Sequence, residues 1–175
     1  SRILIIMINV VLFQPEIPQD ITNIMRTCAG CDVKLHLIKP YGFSLDVKSV
    51  KSSGANYIPF VTYIEYENFD DFVKQNDGEY FFITRYGQKT HSDIDYPQLN
   101  KNIYFIFGRE SSGIPNEILK PYFANCLRIP MNDKIRSLNV SNTVSIVVYE
   151  ALRQFDYQGL LKMEPFKDKD YILKG

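Results

Sequence analysis

Five short apolar runs, Asn9–Phe13, Lys34–Ile38, Tyr80–Thr84, Ile103–Phe107 and Cys126–Ile129, read as strands. Helical patterns separate them, near Gln19–Gly30, Asp46–Ser53, Tyr66–Gln75 and Pro115–Tyr122, and another follows at Val140–Phe155. This alternation predicts an α/β fold, with a mostly parallel sheet and helices on both faces. In such folds ligands collect beyond the carboxyl ends of the strands, so the loops there are where chemistry is to be sought. With 175 residues, no internal repeat and no linker rich in Pro, Gly or Ser, residues 1–175 form a single domain. Its core runs from about residue 7 to 160, and 161–175 form a charged surface tail.

Lys and Arg total 20 against 20 Asp and Glu, so no global positive field recruits nucleic acid, while a local basic patch remains permitted. The apolar run at residues 3–13 has no small-residue cleavage site after it and is too short to span a bilayer. It reads as a central strand, with Met7 a candidate natural initiator and residues 1–6 an extension. Cys28-Ala29-Gly30-Cys31 falls where a helix ends rather than begins, and Cys126, His36 and His91 are not spaced as partner ligands for zinc. The cysteines are therefore expected to be structural, with no metal bound, and three of them without an export signal point to a reducing cytoplasm.

The segment "RIPMNDKIRSLNVSNTVSIVVYEALRQ", residues 128–154, poses a sharper question. Its apolar run is long for a strand and free of Gly and Pro, so it reads as a buried helix capped by Ser141 or Asn139. One cap suffices for one helix, which leaves a surplus of short polar side chains at its mouth. Ile129 and Met131, with Leu138 as an apolar wall, suit a flat heteroaromatic ring, and the surplus Ser and Asn groups then face the ligand.

Two other loops look chemical. In residues 15–26 two prolines fix an extended entry, Asp20 or Gln19 starts a helix, and Asn23 and Arg26 lie in adjacent turns where they converge on one ligand. In "FGRESSGIP", residues 107–115, Gly108 permits close backbone approach and Gly113 can take a positive φ. Neither the dinucleotide nor the P-loop glycine spacing is present, which sets aside a nicotinamide dehydrogenase.

Together and in this order, the three loops resemble the SPOUT class of RNA methyltransferases. "FGRESSGIP" and the 128–154 segment resemble the second and third motifs of its 2'-O-methylating branch. "PEIPQDITNIMRTCAG" followed by "LHLIKPYGF" is similar to the TrmL group, tRNA wobble-nucleotide 2'-O-methyltransferases that use S-adenosylmethionine. The resemblance runs from about Asn9 to Leu160. It implies a deep trefoil knot at the C-terminal end, a cofactor held in the knot largely by backbone groups, and a homodimer packed through the first and last helices.

By motif, Thr84, Gly108, Glu110, Ile129, Met131, Ser137 and Leu138 fall where that family surrounds its cofactor. Arg26, Asn23, Glu110, Ser137 and Asn139 fall at its catalytic positions. A guanidinium is a poor proton acceptor, so Arg26 is cast as orienting the ribose hydroxyl and a phosphate. Where the group usually reads P-P-N-T-G-N-I, this chain has Pro18-Gln19-Asp20-Ile21-Thr22-Asn23-Ile24, and Arg109 replaces a common Pro. Arg2, Lys34, Lys39, Lys48, Lys51, Arg85, Lys89, Arg136 and Arg153 are candidates for a tRNA-binding patch spanning a dimer. The competing expectations are 2'-O-methylation of another tRNA or rRNA site and a non-catalytic RNA-binding dimer.

Overall fold

The computed structural model describes residues 6–43 and 62–175, and the expected helix Asp46–Ser53 lies outside them. Among the described residues seven strands form one sheet: β1 Ile8–Phe13, β2 Lys34–Ile38, β3 Tyr63–Tyr66, β4 Glu79–Ile83, β5 Lys89–Thr90, β6 Ile103–Phe107 and β7 Cys126–Arg128. Their order is β3-β2-β1-β6-β4-β7-β5, and every pairing is parallel. The helices are α1 Pro18–Cys31, α2 Phe69–Gln75, α3 Asn116–Leu119 and α4 Val140–Gln154.

Both faces of the sheet are buried, which is why its central strands read as unbroken apolar runs. Along β1, Val10 and Leu12 pack with Phe105 of β6, Leu35 of β2 and the buried faces of α1 and α4. Val11 and Phe13, pointing the other way, join Ile38, Tyr66, Phe72 and Phe82 in a second core. α4 returns from β7 to lie on α1, where the Thr27 and Ser145 hydroxyls share a hydrogen bond of 3.2 Å.

The second core holds a polar thread. His36 is fully buried, its Nε2 2.9 Å from Asn9 Oδ1 and its Nδ1 2.9 Å from the Tyr66 hydroxyl. Burial, reinforced by the charge of Lys34, lowers its pKa to about 4.

Two expectations need correction. Tyr66 ends strand β3 instead of opening a helix, because Asn68 caps α2 by accepting the Asp71 N–H at 2.8 Å. The helix expected over Pro115–Tyr122 is one turn, α3, followed by a 3-10 stretch, Lys120–Asn125, with Pro121 at its start. Strands β3 and β5 were not expected at all. The C-x-x-C does close α1, with Asp32 left-handed at φ 56° and donating its N–H to the Cys28 carbonyl. Both thiols are free and buried. Burial pushes the Cys28 thiol up strongly and that of Cys31 to about 11, leaving neither suited to nucleophilic chemistry.

Candidate active site

The loops after β4, β6 and β7, with the start of α1, enclose a cavity of about 680 Å³ at the carboxyl edge of the sheet. That size suits a small-molecule ligand, for which pockets run from about 300 to 1,000 Å³. Ile83, Phe107, Ile129, Met131 and Leu138 supply apolar wall, while Thr84, Glu110, Ser137 and Asn139 supply polar groups.

The β6 loop is built for close approach. A Cβ on Gly108 would sit 2.6 Å from the Gly113 carbonyl carbon, so only glycine fits. Gly113 takes φ +67° and exchanges backbone hydrogen bonds with Arg109, closing the turn. Between its ends, Glu110 reaches back and accepts the Glu16 and Ile17 N–H groups at 3.0 and 3.4 Å. α1 has no side-chain cap of its own, and Glu110 sets a carboxylate at its positive end instead. Glu16 returns the contact by accepting the Ser111 hydroxyl at 2.7 Å and the Ser111 N–H at 3.1 Å. These bonds, with the nearby Arg109 charge, hold the Glu16 carboxyl below the ordinary value.

The polar surplus at the mouth of α4 resolves into a shared device. Asn139 is the N-cap, its Oδ1 accepting the Ser141 and Asn142 N–H groups at 2.9 and 3.3 Å and the Ser141 hydroxyl at 2.6 Å. Its amide donates to Asp20 Oδ1 at 3.2 Å, tying α4 to α1 beside the cavity. Asp20 is only 5% exposed, and its Oδ2 has no hydrogen-bond partner among the described residues.

Eight expected residues, Thr84, Gly108, Glu110, Ile129, Met131, Ser137, Leu138 and Asn139, therefore line one cavity. Asn23 and Arg26 do not. They sit on the exposed side of α1, opposite its buried Ile21, Met25 and Cys28. Of the expected basic patch, Arg85 and Arg136 reach the cavity, joined by Arg109 and Arg128. Lys39 is paired with Glu65 and Glu67 and Arg153 with Glu150, while Arg2, Lys48 and Lys51 lie outside the described residues. Asp20 and Tyr86 also line the cavity, and neither was expected there. Asp20 carried a signal, since with Ile24, Cys28 and Cys31 it repeats at helical spacing along the apolar side of α1.

The profile of the SpoU rRNA Methylase family matches residues 7–149. The chain belongs to that family. A relative from Listeria innocua named "Putative tRNA (cytidine(34)-2'-O)-methyltransferase" is 49% identical over 162 residues, 92% of this chain and 95% of that protein. A crystal structure from Bacillus anthracis matches with TM-score 0.85 and 49% identity, covering 89% of this chain and 99% of that one. Another solved structure, whose subject is 2-OH methylation of C/U34 on tRNA, matches with TM-score 0.77 and 35% identity over 86% of this chain and 91% of its own. Among the described residues no helix is long and apolar enough to cross a membrane, and no cluster of three or more metal-ligating side chains occurs.

Proposed function

We propose that this SpoU-family chain transfers a methyl group from S-adenosylmethionine to the wobble ribose 2'-hydroxyl, of cytidine or uridine, in the tRNA anticodon loop. The observation that carries the reading is the convergence of the second and third motif loops on one cavity of ligand size. The SpoU family match and the C/U34 structure at 35% identity support it further.

The donor set fits the cofactor: an apolar wall for a flat ring, backbone exposed by Gly108, and no demand for a charged partner to the adenine. Thr84, Gly108, Ile129, Met131 and Leu138 would hold the adenosyl group, with Glu110 and Ser137 beside it. The bound cofactor supplies an activated methyl group, so the protein's task is chiefly placement. Arg26 orients the 2'-hydroxyl and a phosphate, with Asn23 beside it on α1. Ser137 and Asn139 fix the mouth of the cavity, Asn139 by holding the start of α4. The proton of the hydroxyl leaves to a neighbouring group or water, since Arg26 remains charged.

Residues 1–175 then form one methyltransferase domain whose C-terminal loops and α4 are threaded as a deep trefoil knot. Two copies pair through α1 and α4, both of which carry an exposed stripe that includes Arg26 on one and Ile146 and Tyr149 on the other. Because Arg26 does not line the cavity of its own chain, pairing is also what would bring it to a cavity. The proposed setting is the cytoplasm, where tRNA is processed.

The test is transfer of labelled methyl from S-adenosylmethionine to tRNA lacking wobble 2'-O-methylation, with nucleoside mapping. Label is expected at the wobble ribose and is lost in Arg26→Ala. Label elsewhere moves the substrate to another site, and cofactor binding without transfer to any RNA marks a non-catalytic RNA-binding dimer.

A further inference from the structure

The loop after β4 presents an aromatic ring to water beside the cavity. Tyr86 is 66% exposed, yet the turn carrying it is tightly held. Its N–H donates to Thr84 Oγ1 at 3.2 Å, the Gly87 N–H to the Thr84 carbonyl at 3.1 Å, and the Gln88 amide to the Tyr86 carbonyl at 3.1 Å. Gly87 lies so close to the Leu127 and Arg128 backbone that no side chain fits there. Arg128 Nη1 donates to the Arg85 carbonyl at 2.8 Å, fastening the turn to β7. A large apolar side chain fixed in solvent by a rigid turn invites a ligand that covers it.

The surroundings say which ligand. The Arg85 guanidinium lies 5.1 Å from the Tyr86 ring centroid, and both residues line the cavity together with Arg128 and Arg136. None of these arginines is in an ion pair among the described residues, although the whole chain carries no net charge. A flat ring next to a planar cation, amid unpaired positive charge, complements an unpaired base on a phosphate backbone. Exposed apolar groups at this cavity, Tyr86 and Ile17, are few beside Arg85, Arg109, Arg128 and Arg136, which favours an anionic partner over an apolar protein surface.

We infer that Tyr86, backed by Arg85, is a stacking face for an unpaired nucleobase adjoining the methylated nucleotide, with Arg128 and Arg136 beside its phosphates. The inference rests on the reading that the substrate is RNA, and it names Tyr86 as the residue that engages the single-stranded part of it.

The chain has no tryptophan, so Tyr86→Trp installs a sole indole at the site. Its fluorescence is expected to be quenched, saturably, by an anticodon stem-loop RNA, and to change little with a blunt RNA duplex or S-adenosylhomocysteine. In parallel, Tyr86→Ala is expected to weaken stem-loop binding about tenfold or more, with S-adenosylhomocysteine affinity unchanged, and Tyr86→Phe to recover the lost binding. An indole that answers to S-adenosylhomocysteine and not to RNA would make Tyr86 a cover for the cofactor and overturn the inference, as would wild-type RNA affinity in Tyr86→Ala. The optical signal needs no turnover. Quenching without wobble methylation would sink the proposed reaction and leave the stacking face standing, and methylation without quenching would do the reverse.

Discussion

Asn139 holds two helices with one side chain: its amide nitrogen donates to Asp20 of α1 at 3.2 Å while its oxygen caps the first turn of α4. Asn139→Ala removes the cap and strips Asp20 of its hydrogen bond, a combined loss of about 2–4 kcal/mol. Asp20→Asn keeps an acceptor for the same amide and is expected to stay within about 1 kcal/mol of wild type. Urea denaturation midpoints of the two variants check this, and equal losses would show that an acceptor at position 20 is not enough and that the Asp20 carboxylate itself holds the contact.

The buried His36 sets an acid limit. Its folded pKa, about 4, lies below its ordinary 6.5 because burial disfavours the charged ring. On the acid side of 6.5 the unfolded chain takes up a proton that the folded chain refuses, so stability falls with pH down to about 4. The full difference is about 3 kcal/mol. Unfolding free energies at pH 7 and pH 5 should differ in wild type and differ less in His36→Gln.

How far the sequence disclosed this molecule follows from what each residue touches. β2 and β6 were legible to the residue because both their faces are buried, leaving apolar runs with sharp ends. β3 was not, since at the sheet edge only Tyr66 of its four residues is fully buried and no apolar run forms. β5, two residues long, has no pattern to show. In the cavity, Gly108 and the Ser and Asn cluster stood out because turns and helix starts have local chemistry. Helical spacing marks Asp20 as inward-facing, but the partners of Glu16 and Asp20, Ser111 and Asn139, lie far away in the chain, and no local pattern announces those pairings.

Ser111 governs the ionisation of Glu16. Its hydroxyl bond is the largest influence holding that carboxyl low, followed by its N–H and by Arg109. A depressed carboxylate lends stability above its unfolded value and surrenders it as pH falls through the lowered one. Ser111→Ala should therefore raise the Glu16 pKa and bring the acid loosening of this contact to higher pH. A carboxylate titration followed by NMR reads it directly, and an unmoved Glu16 would refute the assignment.

Gly108→Ala forces a methyl group against the Gly113 backbone. Overpacking of that kind is expected to cost about 1–3 kcal/mol, and the displaced turn should weaken S-adenosylmethionine binding at least as severely as it weakens the fold. Calorimetric titration beside a thermal melt separates the two.

Arg26 is exposed and does not line the cavity of its own chain, so the proposed pairing predicts complementation. Arg26→Ala and a cavity-disabled Gly108→Ala chain, each inactive alone, should recover about a quarter of wild-type transfer when co-refolded, because half of the dimers are mixed and each has one intact site. Absence of recovery would place Arg26 at the cavity of its own subunit.

The cavity is stitched by bonds between distant parts of the chain: Ser111 to Glu16 spans 95 positions, and Asn139 to Asp20 spans 119. A chain emerging from the ribosome possesses α1 and β1 early but has nothing to grip a ligand with until Asn139 and the start of α4 arrive. Copies that stop short of Asn139 thus lack the finished cavity, and the ability to bind appears only once the start of α4 has been made.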